Sequence, residues 1–260
     1  MIQKIISISL LLQGGTFSSY ESLGSDDLYL FKYDTSGNQL WAKQYGTENN
    51  EEAVKVVLDA DNNIYLLSKM RVDMIYHYAR IYKIDSSGEI VWAKNVPEEL
   101  EGFNLTISGD QLYLVGATDN ALDENELFGI NDAFLIVMDL DGERLWSKTW
   151  GSPDYDTATD VAVNSAGEIY ITGITAGNLN GSQHNGQSDI FILKTDSSGN
   201  VLWSKNWGNS GNDNGSSLAI NQNDTIHFSG TFENELFGQG PFDKASLVIF
   251  RFPSVHDFSN

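Results

Sequence analysis

The segment Asp196-Ser-Ser-Gly-Asn-Val-Leu-Trp-Ser-Lys205 occurs four times, with substitutions, in a chain of 260 residues. The other three copies are Asp34–Lys43, Asp85–Lys94 and Asp139–Lys148. Their tryptophans follow one another at intervals of 51, 54 and 57 residues. A period of this length indicates a repeat architecture, in which each unit buries its apolar faces against its neighbours.

Each copy lies at the end of the same pattern of apolar segments. In the clearest unit, Ala158–Val163 and Glu168–Gly173 come first, and an almost continuously apolar run, Asp189–Lys194, precedes the tryptophan segment. β-branched and aromatic residues dominate these segments and turn residues separate them, which predicts four strands per unit. We expect Asp196 to accept backbone N–H groups in an Asx-turn and Gly199 to supply a positive φ.

The pattern predicts an all-β fold, a β-propeller of about five four-stranded antiparallel blades, because apolar runs without alternation are typical of strands covered on both faces. We predict a single domain over residues 1–260, with repeat units 1–46, 47–97, 98–151, 152–208 and 209–252 and a C-terminal tail at 253–260. One tryptophan per unit is expected between blades and one glycine in the preceding turn: Trp41, Trp92, Trp146 and Trp203, and Gly37, Gly88, Gly142 and Gly199.

The chain is strongly acidic, with a formal net charge of -21 at pH 7. Such a charge repels phosphate backbones and anionic lipid surfaces, so nucleic acid is excluded as a partner. No apolar run reaches the roughly 18–20 residues that span a bilayer, so membrane insertion is not expected. The chain contains no cysteine, which excludes disulfides and thiol catalysis.

The N-terminus has two interpretations. Met1–Leu12 contains one early lysine and a short apolar core, as a minimal signal peptide does. Leu11–Thr16 also aligns with Ile171–Thr175, which would make Ile5–Leu12 a strand of the first blade. In the second case, the segment is expected to help close the propeller.

The repeats resemble the SBBP β-propeller repeat proteins of bacteria over essentially residues 1–252. The motifs that carry the resemblance are Gly173-Ile-Thr175, Gly177-Asn-Leu-Asn-Gly181, Gly186-Gln-Ser-Asp189, Asp196–Asn200 and Leu202-Trp203. The resemblance implies an exported or surface propeller without an established catalytic role, and hence an extracellular or cell-envelope location. The second unit departs from the pattern at Lys69–His77, and the last unit lacks its final strand.

Catalytic motifs are missing from the sequence. The four histidines, His77, His184, His227 and His256, are far apart, and there is no nucleophile elbow, phosphate loop or dinucleotide fingerprint. We therefore predict a protein that is not an enzyme and needs no cofactor. The rival is a quinone-dependent dehydrogenase, because Asp-x-x-Gly-x-Leu-Trp also resembles the tryptophan-docking repeat of those enzymes, or else a glycan-active enzyme.

The sequence contains two weaker candidates for a binding site. Asp139 with Asp141, and Asp59 with Asp61, offer alternating oxygen ligands like the first part of a calcium loop, although a hairpin turn explains both pairs without an ion. Trp150 and Trp207 occur in only two units, so they are either structural or exposed for stacking on sugars.

Four long loops after the second strand of their units are the predicted functional face: Thr16–Asp26, Asp119–Asn131, Ala176–Ser188 and Phe232–Phe242. Loops that vary on a repeating frame favour a non-catalytic binding or scaffolding module. The expected partner is a protein or a polysaccharide. An enzyme or a passive spacer remains the alternative.

Overall fold

The computed structural model describes residues 7–11, 23–24, 26–71, 77–96, 100–236 and 239–253. These residues form five antiparallel sheets, each built from strands that are consecutive in sequence, and they contain no α-helix. The predicted all-β propeller fold is therefore confirmed. The chain divides into two compact units, Met1–Gly102 and Phe103–Asn260, and whether it forms one domain stays a prediction.

The first unit contains two sheets. A three-stranded sheet has the order β1-β2-β3, and a four-stranded sheet has the order β4-β5-β6-β7. Their strands are β1 Ser7–Leu11, β2 Asp27–Tyr33, β3 Gln39–Tyr45, β4 Asn50–Leu58, β5 Ile64–Arg71, β6 His77–Ile84 and β7 Ile90–Asn95.

The second unit contains three sheets, in the orders β8-β9-β10-β11, β12-β13-β14-β15 and β16-β17-β18. Strand β8 begins at the last two residues of the first unit. The strands are β8 Glu101–Ser108, β9 Gln111–Thr118, β10 Asp132–Asp139, β11 Arg144–Trp150, β12 Asp156–Val163, β13 Ile169–Thr175, β14 Asp189–Thr195, β15 Val201–Trp207, β16 Asn214–Ile220, β17 Thr225–Leu236 and β18 Gln239–Pro253. A 3-10 turn occurs at Leu179–Gly181.

Part of the N-terminal segment is a strand. Ser7–Leu11 is a strand that pairs with β2, whereas residues 1–6 and 12–22 lie outside the described part of the chain. The C-terminal strand β18 pairs with β17 through contacts such as Phe228 with Phe250. Closure of the propeller by these two strands stays a prediction.

Burial follows the position of the strand within its blade. All seven residues of β14 are buried, as are the first seven of β10, whereas the fourth strands are half-buried or exposed along most of their length. Among the described residues, no helix has the length and apolarity to cross a membrane. The apolar runs of the sequence are thus strands covered on both faces, as predicted.

The turn before each tryptophan has the expected chemistry. Asp196 Oδ1 accepts hydrogen bonds from the backbone N–H of Ser198 and of Asn200, both at 2.9 Å. The Asn200 side chain also donates to this carboxylate, and these bonds lower the pKa of Asp196. Gly199 has a φ of 80°, and the other three turn glycines, Gly37, Gly88 and Gly142, have φ angles of 83°, 91° and 75°.

The repeated tryptophans cover the turn glycine of the following repeat. A Cβ placed on Gly199 would lie 2.9 Å from the Trp146 ring, and one on Gly88 would lie 3.4 Å from the Trp41 ring. The Trp41 indole N–H also donates to the Ser86 carbonyl at 3.4 Å. Within each unit, the tryptophan of one repeat and the glycine of the next therefore form one packing contact.

The remaining tryptophans are also packed. Trp92 meets Tyr65 edge-on with ring centroids 6.0 Å apart, and Trp203 meets Tyr170 in the same way at 6.2 Å. Trp150 is only 6% exposed in the core, and Trp207 stacks on Phe228 at 5.4 Å. These contacts favour the structural interpretation of Trp150 and Trp207 over sugar stacking.

Candidate functional site

The long loop between β9 and β10, residues 119–131, is held to its own blade by side-chain hydrogen bonds. Asn125 donates to the Leu122 carbonyl at 2.7 Å and to the Ser147 carbonyl at 3.3 Å, and Thr149 donates to the Glu126 carbonyl at 3.1 Å. Since Ser147 and Thr149 belong to strand β11, the loop is fixed along the edge of the blade.

The two ends of the loop are fixed as well. Arg144 forms an ion pair with Asp123 at 3.1 Å. Near the other end, the Phe128 N–H donates to Asp132 Oδ2 at 2.8 Å and the Ile130 N–H to the Asp154 carbonyl at 3.3 Å. A loop tied down at so many points presents its outward side chains in one arrangement.

Three side chains of the loop and one beside it are large, apolar and exposed. Leu127 is 37% exposed, Phe128 and Ile130 are each 53% exposed, and Tyr155 is 59% exposed. Tyr155 lies beside the loop because it bridges Asn131 through the backbone. We call these four residues the apolar loop surface.

Acidic residues flank the apolar loop surface. Asp119, Glu124, Glu126 and Asp154 are all exposed around it. Part of the surface comes from the repeated hexapeptide Glu124–Gly129, whose second copy at 233–238 ends outside the described residues. The arrangement therefore offers a partner apolar contacts inside a negative border.

The loop between β13 and β14, residues 176–188, is anchored but polar. Leu179 of this loop is buried, the Ser182 hydroxyl donates to the Ser204 carbonyl at 3.2 Å, and the Asn178 side chain accepts from the His184 N–H at 2.8 Å. The predicted loop 16–26 lies mostly outside the described residues. The predicted loop 232–242 is wrong, because residues 232–236 and 239–242 belong to the paired strands β17 and β18. Two of the four predicted loops, 119–131 and 176–188, are therefore described by the structure, and the first of them exposes apolar side chains.

The first unit contains a cleft of about 290 Å³ at the corresponding strand ends. Its lining is mostly charged and comprises Asp26, Asn50, Glu51, Glu52, Lys69, Met70, Arg71 and Glu101. Lys69 and Glu101 form a loose ion pair at 3.9 Å. Burial raises the pKa of Glu51, hydrogen bonds from Thr47 lower it, and the negative charge of Asp27 raises it further.

The sequence candidates for calcium lie in hairpin turns. Asp59 Oδ1 accepts from the N–H groups of Asp61 and Asn63, and Asp139 Oδ1 accepts from those of Asp141 and Glu143. In the part of the chain that the structure describes, no three side chains of His, Cys, Asp or Glu are grouped to hold a metal ion. These carboxylates are occupied by the turn.

Sequence reasoning missed a buried carboxylate that joins three first strands of the second unit. Asp160, on β12, is 6% exposed. It accepts hydrogen bonds from the Asn104 side chain on β8 at 2.7 Å and from Ser217 and the Leu218 N–H on β16 at 2.8 and 2.6 Å. Nothing in the local sequence distinguishes this aspartate from the many surface carboxylates.

Repeated antiparallel sheets and anchored loops define the class of this chain, which is a β-propeller repeat protein. More narrowly, it belongs to the family described as "Outer membrane protein assembly factor BamB", whose model matches residues 27–236. Repeats of this family occur both in quinone dehydrogenases and in non-catalytic assembly factors.

Two individual proteins are also similar to this chain. "Regulatory protein FlaEY" of Caulobacter vibrioides is 23% identical in an alignment of 164 residues that covers 56% of this chain and only 17% of that protein. The subtype N10 neuraminidase-like protein of A/little yellow-shouldered bat/Guatemala/060/2010 is 8% identical with a TM-score of 0.46, over 86% of this chain and 72% of that one.

The described cleft does not fit the quinone cofactor that some members of the family use. Pyrroloquinoline quinone is a polycarboxylate, which needs cationic side chains around it. The cleft instead places four acidic residues beside Lys69 and Arg71, and Lys69 already contacts Glu101. The electrostatics of the cleft therefore oppose this cofactor.

Proposed function

We propose that this chain is a non-catalytic binding propeller of the cell envelope that engages a protein through its apolar loop surface. The observation that carries the proposal is the exposure of Leu127, Phe128, Ile130 and Tyr155 on a loop fixed by hydrogen bonds. Exposed apolar side chains gathered in one place are typical of interaction surfaces. The SBBP type of the repeat and the bacterial surface location are part of the same proposal, supported by the repeat motifs and by the name of the family.

The partner we propose is a protein segment with aromatic or aliphatic side chains and flanking basic residues. Apolar side chains match Leu127 and Ile130, whose contact area is aliphatic, while lysine or arginine complements Glu124, Glu126 and Asp154. A fixed loop loses little conformational entropy on binding, which favours affinity. Binding should therefore depend on a few apolar side chains and weaken as the salt concentration rises.

The proposal is tested with a random peptide library displayed on phage and selected against the purified full chain. We expect the selected peptides to be rich in apolar and basic residues. Ile130→Ala should weaken their binding at least about tenfold, the effect of a central interface residue. The matched control is Leu202→Ala, since Leu202 is 49% exposed in the same unit but lies on strand β15. Equal loss in both variants, or in neither, would contradict the proposal.

Polysaccharide binding is the second candidate, favoured by the exposed rings of Phe128 and Tyr155. A glycan array separates the two functions. If the surface binds protein, any glycan signal on the array should be the same for the wild type and for Phe128→Ala. A glycan signal lost in Phe128→Ala and kept in Leu202→Ala would assign the same surface to carbohydrate.

The absence of catalysis is tested separately. We expect no dehydrogenase turnover above background after addition of calcium and pyrroloquinoline quinone, because the charged cleft repels a polycarboxylate. Turnover that depends on Lys69 or Arg71 would show that the cleft binds the cofactor and would overturn the non-catalytic assignment.

A further inference from the structure

Three of the described strands begin with an aspartate that is followed by a glycine and an acidic residue at fixed distances. We call each set of three residues a junction. Asp27, Asp132 and Asp189 start strands β2, β10 and β14. A glycine follows each aspartate 19 residues later, and an acidic residue follows that glycine after 5 more. The three sets are Asp27, Gly46 and Glu51; Asp132, Gly151 and Asp156; and Asp189, Gly208 and Asp213.

The glycine is there because the aspartate leaves no room for a side chain. A Cβ on Gly151 would lie 2.1 Å from Asp132 Oδ1, and a Cβ on Gly208 would lie 1.9 Å from Asp189 Oδ1. Where strand β6 begins with His77 instead of aspartate, the position 19 residues later is Val96. Within this one chain, glycine thus appears only in the repeats that carry the aspartate.

Both carboxylates of a junction are removed from water. Asp132, Asp156, Asp189 and Asp213 are each 0% exposed. One oxygen of each aspartate holds a loop: Asp132 Oδ2 accepts from the Phe128 N–H at 2.8 Å, and Asp156 Oδ2 accepts from the Ser152 hydroxyl at 2.8 Å. These oxygens have a structural role that explains them.

Three of the other oxygens have no such explanation. Among the described residues, Asp132 Oδ1, Asp156 Oδ1 and Asp189 Oδ1 are buried without a hydrogen-bond partner. Asp213 differs, because its two oxygens accept from the N–H groups of Asn209 and Glu233. Around the point where Gly208 would carry a Cβ, Asp189 Oδ1 lies at 1.9 Å and Asp213 Oδ2 at 3.0 Å, so oxygens of two buried carboxylates share one small space. A buried, unpaired carboxylate is costly, and two that face each other are more so.

Burial and repulsion between the two carboxylates raise the pKa of one aspartate at each junction. Burial raises the pKa of Asp132, the Phe128 N–H lowers it, and the Asp156 charge raises it again. For Asp189, burial raises the pKa, the Asn185 N–H and the charge of His184 lower it, and the Asp213 charge raises it. The pKa of both aspartates is therefore raised overall, although the charge of His184 offsets part of the effect at Asp189.

We propose that the junctions Asp132–Asp156 and Asp189–Asp213 each bind one calcium ion. The ligands are Asp132 Oδ1 and Asp156 Oδ1 at the first junction, and Asp189 Oδ1 and the neighbouring Asp213 Oδ2 at the second. Calcium is a hard cation that takes oxygen ligands from carboxylates, backbone carbonyls and water. Gly151 and Gly208, which border the sites, are partly exposed, so an ion has a path from solvent. Each ion would hold the start of one strand against the start of the next blade, which is β10 against β12 at the first junction. These sites are distinct from the hairpin turns of Asp59 and Asp139.

The test measures the melting temperature of the full chain, stripped with a chelator and titrated with calcium chloride. A saturable rise of about 5 °C or more is expected, with half-saturation near 10⁻⁴ to 10⁻³ M as for calcium sites with few carboxylates. The double variant Asp132→Asn with Asp189→Asn should lose this rise. The control, Asp59→Asn with Asp139→Asn, should keep it, since it changes only the turns.

Terbium luminescence excited through tryptophan gives a second measurement that needs only wild type and control. Trp150 and Trp207 directly precede Gly151 and Gly208, so bound terbium should luminesce and calcium should displace it, in both proteins. Absence of the signal, or its loss in the control, would overturn the proposal. A melting temperature of the wild type that does not change with calcium would also overturn the proposal. If the Asp132→Asn, Asp189→Asn variant were then more stable than the wild type, each carboxylate pair would share a proton and not a calcium ion.

Discussion

Replacing Gly199 by alanine tests whether the repeated tryptophans hold the turns of neighbouring blades. Gly199 and Gly167 lie in the same unit and the same blade, each in an Asx-type hairpin turn with a φ of 80°. A Cβ on Gly167 would meet only Ser197 Cβ, at 3.8 Å, whereas one on Gly199 would meet Lys148 at 2.8 Å and Trp146 at 2.9 Å. The two substitutions therefore share the backbone strain and differ in the steric overlap.

The magnitudes follow from these two terms. A left-handed conformation costs an L-residue about 1–2 kcal/mol. Overpacking against a fixed ring adds about 1–3 kcal/mol. Gly167→Ala should thus lower the free energy of unfolding by about 1 kcal/mol and Gly199→Ala by about 3 kcal/mol.

Urea unfolding of the full chain, followed by circular dichroism, measures both values. The extra cost of Gly199→Ala should shrink when Trp146→Ala is added, because the overlap then has no ring to meet. Equal destabilisation by the two glycine variants would refute the packing argument. So would a difference that persists unchanged without Trp146.

Two further predictions concern the core and pH. Trp150→Ala should lower the free energy of unfolding by about 3–5 kcal/mol, because Trp150 is buried. Urea unfolding should show a clearly larger loss for Trp150→Ala than for Trp203→Ala, since Trp203 is half-buried. The reverse order would contradict the burial pattern. Burial raises the pKa of Glu168, but the bond from Lys194 at 2.8 Å and the bond from Asn164 outweigh it and leave the pKa lowered. The stability that Glu168 contributes is thus present above its unfolded pKa and lost as the pH falls through the folded one, so Glu168→Gln should flatten the decline in stability between about pH 5 and 3.

The sequence predicted the strands because each repeat restates the same local chemistry. The segment Asp196–Lys205 contains a turn carboxylate and a glycine of positive φ, and both have the predicted turn geometry. Its tryptophan, Trp203, meets Tyr170 of the same blade, and packing between blades stays a prediction for it. The tryptophans of all four copies are half-buried rather than fully enclosed. Local sequence does not encode how far a neighbouring blade covers a given ring.

The candidate surface was predicted only as a loop. Apolar residues such as Leu127 and Phe128 in a loop usually turn inward, and their exposure depends on anchors from Asn125 and Thr149 to another strand. The repetition of the hexapeptide Glu124–Gly129 was the available signal.

The buried junctions were not predicted at all. Asp132 and Asp156 are 24 positions apart and look like ordinary residues at strand ends. Their pairing becomes visible only when the starts of two strands meet in space, although the 19-residue spacing to glycine is present in the sequence.

Site-specific photo-cross-linking in the cells that produce the chain tests the proposed binding function most directly. A benzophenone side chain would replace Phe128 in one variant and Leu202 in another, since the two positions are 53% and 49% exposed in the same unit. The account predicts a defined protein adduct from position 128 that is absent from position 202 and reduced by Ile130→Ala. No adduct at position 128, or the same adducts at both positions, would contradict it.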